Sequence, residues 1–295
     1  MITNMVDPPR PEHRPRVVAL HCSGAGASQW CHLAEALGGR YEVAAPEHYG
    51  CENTGPWTGR HAFTVADEAE RAIALIDKRE DKVHLVGHSY GGGVALHVAL
   101  ARPHRIASMV LYEPAAFHLL RQMGDRGSKA YTEIADVAER ICDGVITGDY
   151  RGAAATFVDY WNGPGAWNAL RPSVQSALIR WAPKGPLEFH ALIDDPTPAD
   201  AYSALKLPVL VLRGEHGPMP TRVIAEGLSK LLPASRLTVV DGAGHMGPLT
   251  HATAVSDLIV QHIAAVEAGA RPSRLWRSST LADILAASRP GGGVS

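Results

Sequence analysis

The chain has 295 residues, 46% of them hydrophobic and 20% charged, with a formal net charge of −2. That length supports one large core, and the near-neutral balance offers nothing to a polyanion such as nucleic acid. The four cysteines, Cys22, Cys31, Cys51 and Cys142, form no CxxC pair and no zinc-like spacing, so free thiols in a reducing compartment and no metal centre are expected.

Residues 1–15 carry four prolines and little apolar content, which reads as a flexible lead. The lead has no apolar h-region of a secretory signal, and no stretch approaches the roughly 18 apolar residues of a membrane span. A cytoplasmic location is the expectation. VVALH (17–21) then reads as a buried strand, followed by a loop of small residues, CSGAGAS. YEVAAPE (41–47) is a second strand. A helix follows in ADEAERAIALIDKRE, with Ala69, Ile73 and Ile76 on one face. KVHLVGH (82–88) is the third strand, SYGGGVALHVALARP (89–103) a helix stopped by Pro103, and RIASMVLYEP (105–114) the fourth strand. Strands that are apolar throughout, alternating with helices, mean a mostly parallel sheet covered on both faces.

From 115 to 200 the rhythm is helical, in KAYTEIADVAERICDG, RGAAATFVDYW, SVQSALIRW and LEFHALI. The α/β alternation resumes with LPVLVLRG (207–214), a helix over 220–232, RLTVVDG (236–242) and a helix over 250–267. The expected organisation is a core at 16–114 and 201–267, a helical lid at 115–200, and a flexible tail at 268–295. Within the tail only SSTLADILAAS could form a short helix. Trp276 offers an alternative role as a subunit contact, and Arg271, Arg274 and Arg277 are too few to imply nucleic acid.

Ser89 lies in VHLVGHSYGGG, between a strand and a helix, with Gly87 and Gly91 on either side. Gly-X-Ser-X-Gly in that context is a sharp turn that lifts a serine hydroxyl above the strand ends, with a helix N-terminus beneath developing negative charge. A serine needs a base. Of fifteen histidines, His245 follows a strand in a short loop of small residues, GAGHMGP. There it can swing over a neighbouring strand end. His88 reads as structural support, and His251 as helix surface or a more distant shell. The backbone N–H of Tyr90 is the first candidate oxyanion donor. The second comes from HCSGAG, at Ser23 with Cys22 as the alternative. Cys22 reads as a buried small side chain.

LHCSGAG with Trp30, GHSYGG around Ser89, EP after the fourth strand, LPVLVLRGEHGP, and GAGHMGP around His245 together resemble the α/β-hydrolase fold superfamily over residues 16–267. The resemblance implies a central, mostly parallel sheet of about six strands flanked by helices, because the N-terminus is too short for two further leading strands. It also implies that the helical insertion is a cap. Two departures stand out: Cys22 replaces the first glycine of the common His-Gly loop, and Gly217 stands where the family usually carries its acidic residue. Some members take the acid from the end of the preceding core strand, which is Glu113 here. Glu215 is the alternative, then a remote acid such as Asp194, Asp195 or Asp241, or none.

Ser89, His245 and a carboxylate imply nucleophilic acyl transfer, with neither metal nor organic cofactor needed. The lid supplies Tyr131, Phe157, Tyr160, Trp161, Trp167 and Trp181. Singly each reads as lid core; together they suggest an apolar pocket, with Trp161, Phe117, Met246 and Cys22 as candidate wall residues. A small or medium apolar ester or a lactone is the leading substrate class. Thioester, amide or carbon–carbon hydrolysis, a lyase reaction, and a non-catalytic ligand-binding protein are the alternatives. Ser89 argues against relatives that use a carboxylate nucleophile. The expected partner is a small molecule, and the oligomeric state is open.

Overall fold

The computed structural model describes residues 14–51 and 53–269. Most of the proline-rich lead and the tail from 270, with Trp276 and the short helix expected at 278–288, lie outside the described residues. The first half comprises β1 (Arg16–Leu20), α1 (Cys31–Ala36), β2 (Glu42–Ala44), α2 (Val65–Ile76), β3 (Val83–His88), α3 (Tyr90–Ala101) and β4 (Ile106–Tyr112). Five helices follow before the next strand: α4 (Gly124–Ile146), α5 (Tyr150–Asn162), α6 (Ala166–Ala169), α7 (Pro172–Trp181) and α8 (Gly185–Ile193). The chain then forms β5 (Val209–Gly214), α9 (Met219–Leu231), β6 (Ser235–Val240), α10 (Gly247–Thr250) and α11 (Ala252–Glu267).

The six strands form one sheet in the order β2-β1-β3-β4-β5-β6, and every neighbouring pair is parallel. Alternation within each strand divides its side chains between two cores. Val18, Leu20, Leu85, Met109, Leu111, Val209 and Val211 join α2, α3, α9 and the lid on one face. Val17, Ala19, Val86, Val110, Leu210 and Leu212 join α1 and α11 on the other. This two-sided burial is why the strands read as continuous apolar runs.

α2 starts at Thr64, which caps it in a reciprocal box with Asp67. Its buried face uses Val65, Ala69, Ala72 and Ile76, while Ile73 is only half-buried. β2 is three residues, shorter than the seven-residue reading; it is an edge strand and Pro46 follows two residues later. The last helical stretch is two helices, because the backbone of His251 leaves the helical region between α10 and α11 (φ −126°, ψ 42°). The six-residue α1 is too short to show a helical period.

In the insertion, α4 buries Ala130, Ile134, Val137 and Ile141, a spacing of four, three and four that makes one stripe. α8 returns to the core, stacking Phe189 on Phe117 in the turn after β4 with ring centroids 6.1 Å apart. Among the described residues no helix is long and apolar enough to cross a membrane.

Candidate active site

The loops at the carboxyl ends of β3, β4, β5 and β6 converge on one point, where sheet enzymes of this kind place their sites. Ser89 sits between β3 and α3 with φ 52° and ψ −117°, a conformation that costs a non-glycine residue about 1–3 kcal/mol. Its backbone is held from several sides. Ser89 N donates to Tyr112 O (3.0 Å), and Ser89 O accepts from Gly92 N (2.8 Å), Gly93 N (3.1 Å) and Ala115 N (2.9 Å). The flanking glycines are required by close approach: a Cβ on Gly87 would lie against Gly92 Cα (2.8 Å), and one on Gly91 would collide with the backbone of Leu20 and His21.

His245 leaves the end of β6 in its glycine-rich loop and is 2% exposed. Its Nε2 lies 2.9 Å from Ser89 Oγ, and its Nδ1 lies 2.7 Å from Glu113 Oε2. Two side chains pin the loop. Tyr112 Oη donates to Gly244 O (2.7 Å), and His88 Nε2 donates to His245 O (2.9 Å). Burial, then the neighbouring His245, pushes the His88 pKa well below its usual value, so the ring stays neutral. The position of His88 matches the supporting role read from the sequence.

Glu113, at the tip of β4, is fully buried and also has a positive φ, 41°. Besides His245 it accepts from Gly214 N at Oε1 (2.9 Å) and from Thr221 Oγ1 at Oε2 (2.8 Å). The carboxylate is therefore fully hydrogen-bonded and fixed. A Cβ on Gly217 would collide with Glu113 Oε1, so the position where a family acid was sought is filled by the carboxylate arriving from β4. Glu215 instead accepts from Gly242 N (2.8 Å) at the surface. Asp194 faces His190 (2.7 Å), Asp195 faces His97 (2.5 Å), and Asp241 is exposed.

Tyr90, the first residue of α3, has no intrahelical acceptor for its N–H. In the loop after β1, Cys22 N donates to Gln29 Oε1 (3.1 Å), which leaves Ser23 as the better-placed donor of the two. The Cys22 thiol is buried, and burial followed by the charge of Glu188 pushes its pKa up to about 12.

Ser23, Ser89, Ala115, Phe117, Phe157, Trp161, Glu188, Phe189 and Leu192 line a cavity beside the Ser89 hydroxyl. The cavity is small, with room for about one water. Phe117 and Trp161 thus stand in the wall, whereas Cys22, which is buried, and Met246 are not among the residues that line it. Trp161 stacks on the His245 ring with centroids 3.9 Å apart and planes at 25°. Of the other lid aromatics, Phe157 also stands in the wall, and the rest pack within the lid or at its edge. Trp181 packs on Phe157 at 4.4 Å, Tyr160 donates to Glu133 (2.8 Å), Trp167 is buried under Arg151, and Tyr131 meets Arg121.

Sequence reasoning missed a buried ionic cluster next to this cavity. Lys184 Nζ lies 2.7 Å from Glu68 Oε2 on α2 and 3.1 Å from Glu188 Oε1 on α8. Tyr90 Oη also donates to Glu68 Oε2 (2.9 Å). Burial opposes the charge on Lys184, but Glu188 and Glu68 outweigh it and raise its pKa, so it remains an ammonium. Burial also opposes the charge on Glu68, and hydrogen bonds from His48 and Lys184 hold its pKa down at about 2. The available signal was Glu188 itself, a carboxylate within the apolar run PLEFHALI.

The model of the alpha/beta hydrolase family matches residues 17–258. The chain belongs to that family. The pimeloyl-[acyl-carrier protein] methyl ester esterase of Aeromonas hydrophila is 26% identical over 251 residues, 80% of this chain and 91% of that protein. Lipase LipV of Mycobacterium tuberculosis is 37% identical over 101 residues, 34% of this chain, and the match spans only 37% of the lipase. A hydrolase from Pseudomonas aeruginosa PA01 has a solved structure that superposes with a TM-score of 0.70 at 22% identity, covering 87% of this chain and 92% of that one. That likeness is one of fold. Within this family fold, the six-stranded parallel sheet and the helical insertion between β4 and β5 agree with the sequence reading.

Proposed function

We propose that this alpha/beta hydrolase cleaves a small or medium, largely apolar carboxylic ester, or a lactone, through an acyl-enzyme on Ser89. The observation that carries the reading is the continuous hydrogen-bonded chain from Glu113 through His245 to Ser89 (2.7 and 2.9 Å) at a lid-covered cavity. Glu113 accepts the Nδ1 proton of His245, which leaves Nε2 as the proton acceptor facing Ser89. As Ser89 Oγ bonds to the carbonyl carbon, its proton passes to Nε2. The carbonyl oxygen gains the negative charge and meets the N–H groups of Tyr90 and Ser23, at the N-terminus of α3. His245 returns the proton to the departing alkoxide. It then takes one from water, which attacks the acyl group and regenerates Ser89. In a lactone the alkoxide stays tethered to the acyl group throughout.

The cavity beside Ser89 is small, and in this reading Trp161 and Phe157, which line it, move aside to admit the substrate. The apolar wall supports a largely hydrocarbon substrate. Relatives named for lipase and methyl ester esterase activity support an ester over an amide. Turnover of short-chain p-nitrophenyl esters tests the reading. The parent protein should hydrolyse them, and Ser89→Ala and His245→Ala should each lose at least about 10³-fold in kcat. A folded Ser89→Ala protein that keeps the parent's rate would refute it.

A further inference from the structure

Glu188 is 2% exposed and belongs to the wall of the cavity that contains Ser89. Its Oε1 accepts from Trp181 Nε1 (3.3 Å) and lies 3.1 Å from Lys184 Nζ. Its Oε2 is buried and has no hydrogen-bond partner among the described residues. A buried carboxylate oxygen without a donor is costly, and a role limited to pairing Lys184 leaves it unexplained. The remaining wall is Ser23, Ser89, alanine, phenylalanine, tryptophan and leucine, so Glu188 is its one ionisable group among the described residues.

The geometry points to Glu188 as a specificity-determining residue that accepts a hydrogen bond from a donor group on the substrate, a hydroxyl or an ammonium, lying beyond the ester. This deepens the ester-hydrolase reading and rests on it. The Lys184 ammonium, shared between Glu188 and Glu68, holds the acceptor in place from the core side. α8, which carries Glu188, also packs on the core beside Ser89, through Phe189 on Phe117 after β4 and Leu192 against Gly93 of α3. The acceptor therefore keeps its position relative to Ser89 when Trp161 on α5 withdraws. A plain hydrocarbon chain leaves Oε2 unmatched, and a carboxylate meets like charge.

The test is a pH-stat comparison of kcat/KM on methyl hexanoate, methyl 3- and 6-hydroxyhexanoate, the O-methyl ethers of both, and methyl 6-aminohexanoate. A second series places the donor on the alcohol side, as 2-hydroxyethyl and 4-hydroxybutyl hexanoate with their O-methyl ethers. The parent should favour at least one hydroxyl or ammonium ester over its donor-free counterpart by about 10-fold or more. The ether arm separates donation from mere polarity, and the amine arm separates hydroxyl from ammonium. In Glu188→Gln and Glu188→Leu that ratio should collapse towards one, and taking a ratio cancels any general loss of rate. A parent that turns over methyl hexanoate without preferring any donor ester overturns the subsite and leaves the ester-hydrolase reading standing. So does a preference that survives in both variants. A parent that hydrolyses no ester in either series, and whose Ser89 is not modified by a small fluorophosphonate, overturns both.

Discussion

A β-carbon on residue 217 would sit inside the Glu113 carboxylate. Glycine there and glutamate at the tip of β4 are thus two halves of one arrangement, in which an acid from either place would occupy the same volume beside His245. Ser89 and His245 could be read from sequence because each depends on local backbone chemistry, a glycine-flanked turn after a strand and a glycine-rich loop before a helix. The Glu113–His245 contact spans 132 residues and leaves no local pairing pattern, so it was suggested by the family resemblance and by the place of Glu113 at the tip of an apolar strand. Thr221, which donates to the same carboxylate, had no signal at all. Glu113→Gln should lower kcat by about 10²-fold or more, because the amide no longer holds the His245 tautomer. Gly217→Ala should also lower kcat, by displacing the carboxylate. The double variant Glu113→Gly, Gly217→Asp should recover activity relative to Glu113→Gly alone in the same ester assay. No recovery in a folded double variant would mean that the two positions are not interchangeable sources of the acid.

At the scale of elements, the lid is held by two different kinds of contact. Trp161 on α5 lies over His245, and Lys184, between α7 and α8, reaches Glu68 on α2. The first is an apolar cover over the site and the second a buried ionic anchor. Helical periodicity revealed the lid helices and their aromatic content. It could not show which aromatics face the serine, because a pocket wall and a lid interior have the same apolar pattern. Trp161→Ala should raise the kcat/KM ratio of p-nitrophenyl octanoate over acetate, since it removes a bulky side chain from the wall of the small cavity beside Ser89. An unchanged ratio would show that Trp161 does not limit access. Lys184→Met should destabilise the fold by about 3–5 kcal/mol in urea unfolding, because it leaves Glu68 and Glu188 buried without their cation. A loss below about 1 kcal/mol, the range of an exposed ion pair, would contradict that anchoring role.

Across the whole molecule, the six parallel strands were legible because burial on both faces demands unbroken apolar runs, whereas the short edge strand β2 and the break at His251 follow from tertiary context. Burial also leaves a pH signature. It depresses the pKa of His21 and His88 well below the usual value and that of His262 to about 3. An unfolded chain binds protons at these residues near pH 6.5, and the folded chain does not. Their contribution to stability is therefore complete above about pH 6.5 and is lost as pH falls below it, by on the order of 1 kcal/mol per histidine per pH unit. Urea midpoints should fall between pH 7 and pH 5.5; a flat or rising midpoint would contradict this. The sheet, the strained serine turn and the lid all converge on one claim, that Ser89 is an activated nucleophile supported by His245 and Glu113. Intact-mass labelling with a small fluorophosphonate tests it most directly, using the parent, Ser89→Ala and Glu113→Gln. One adduct on the parent, none on Ser89→Ala and markedly slower labelling of Glu113→Gln is the expected result. A folded parent that stays unlabelled would contradict the claim.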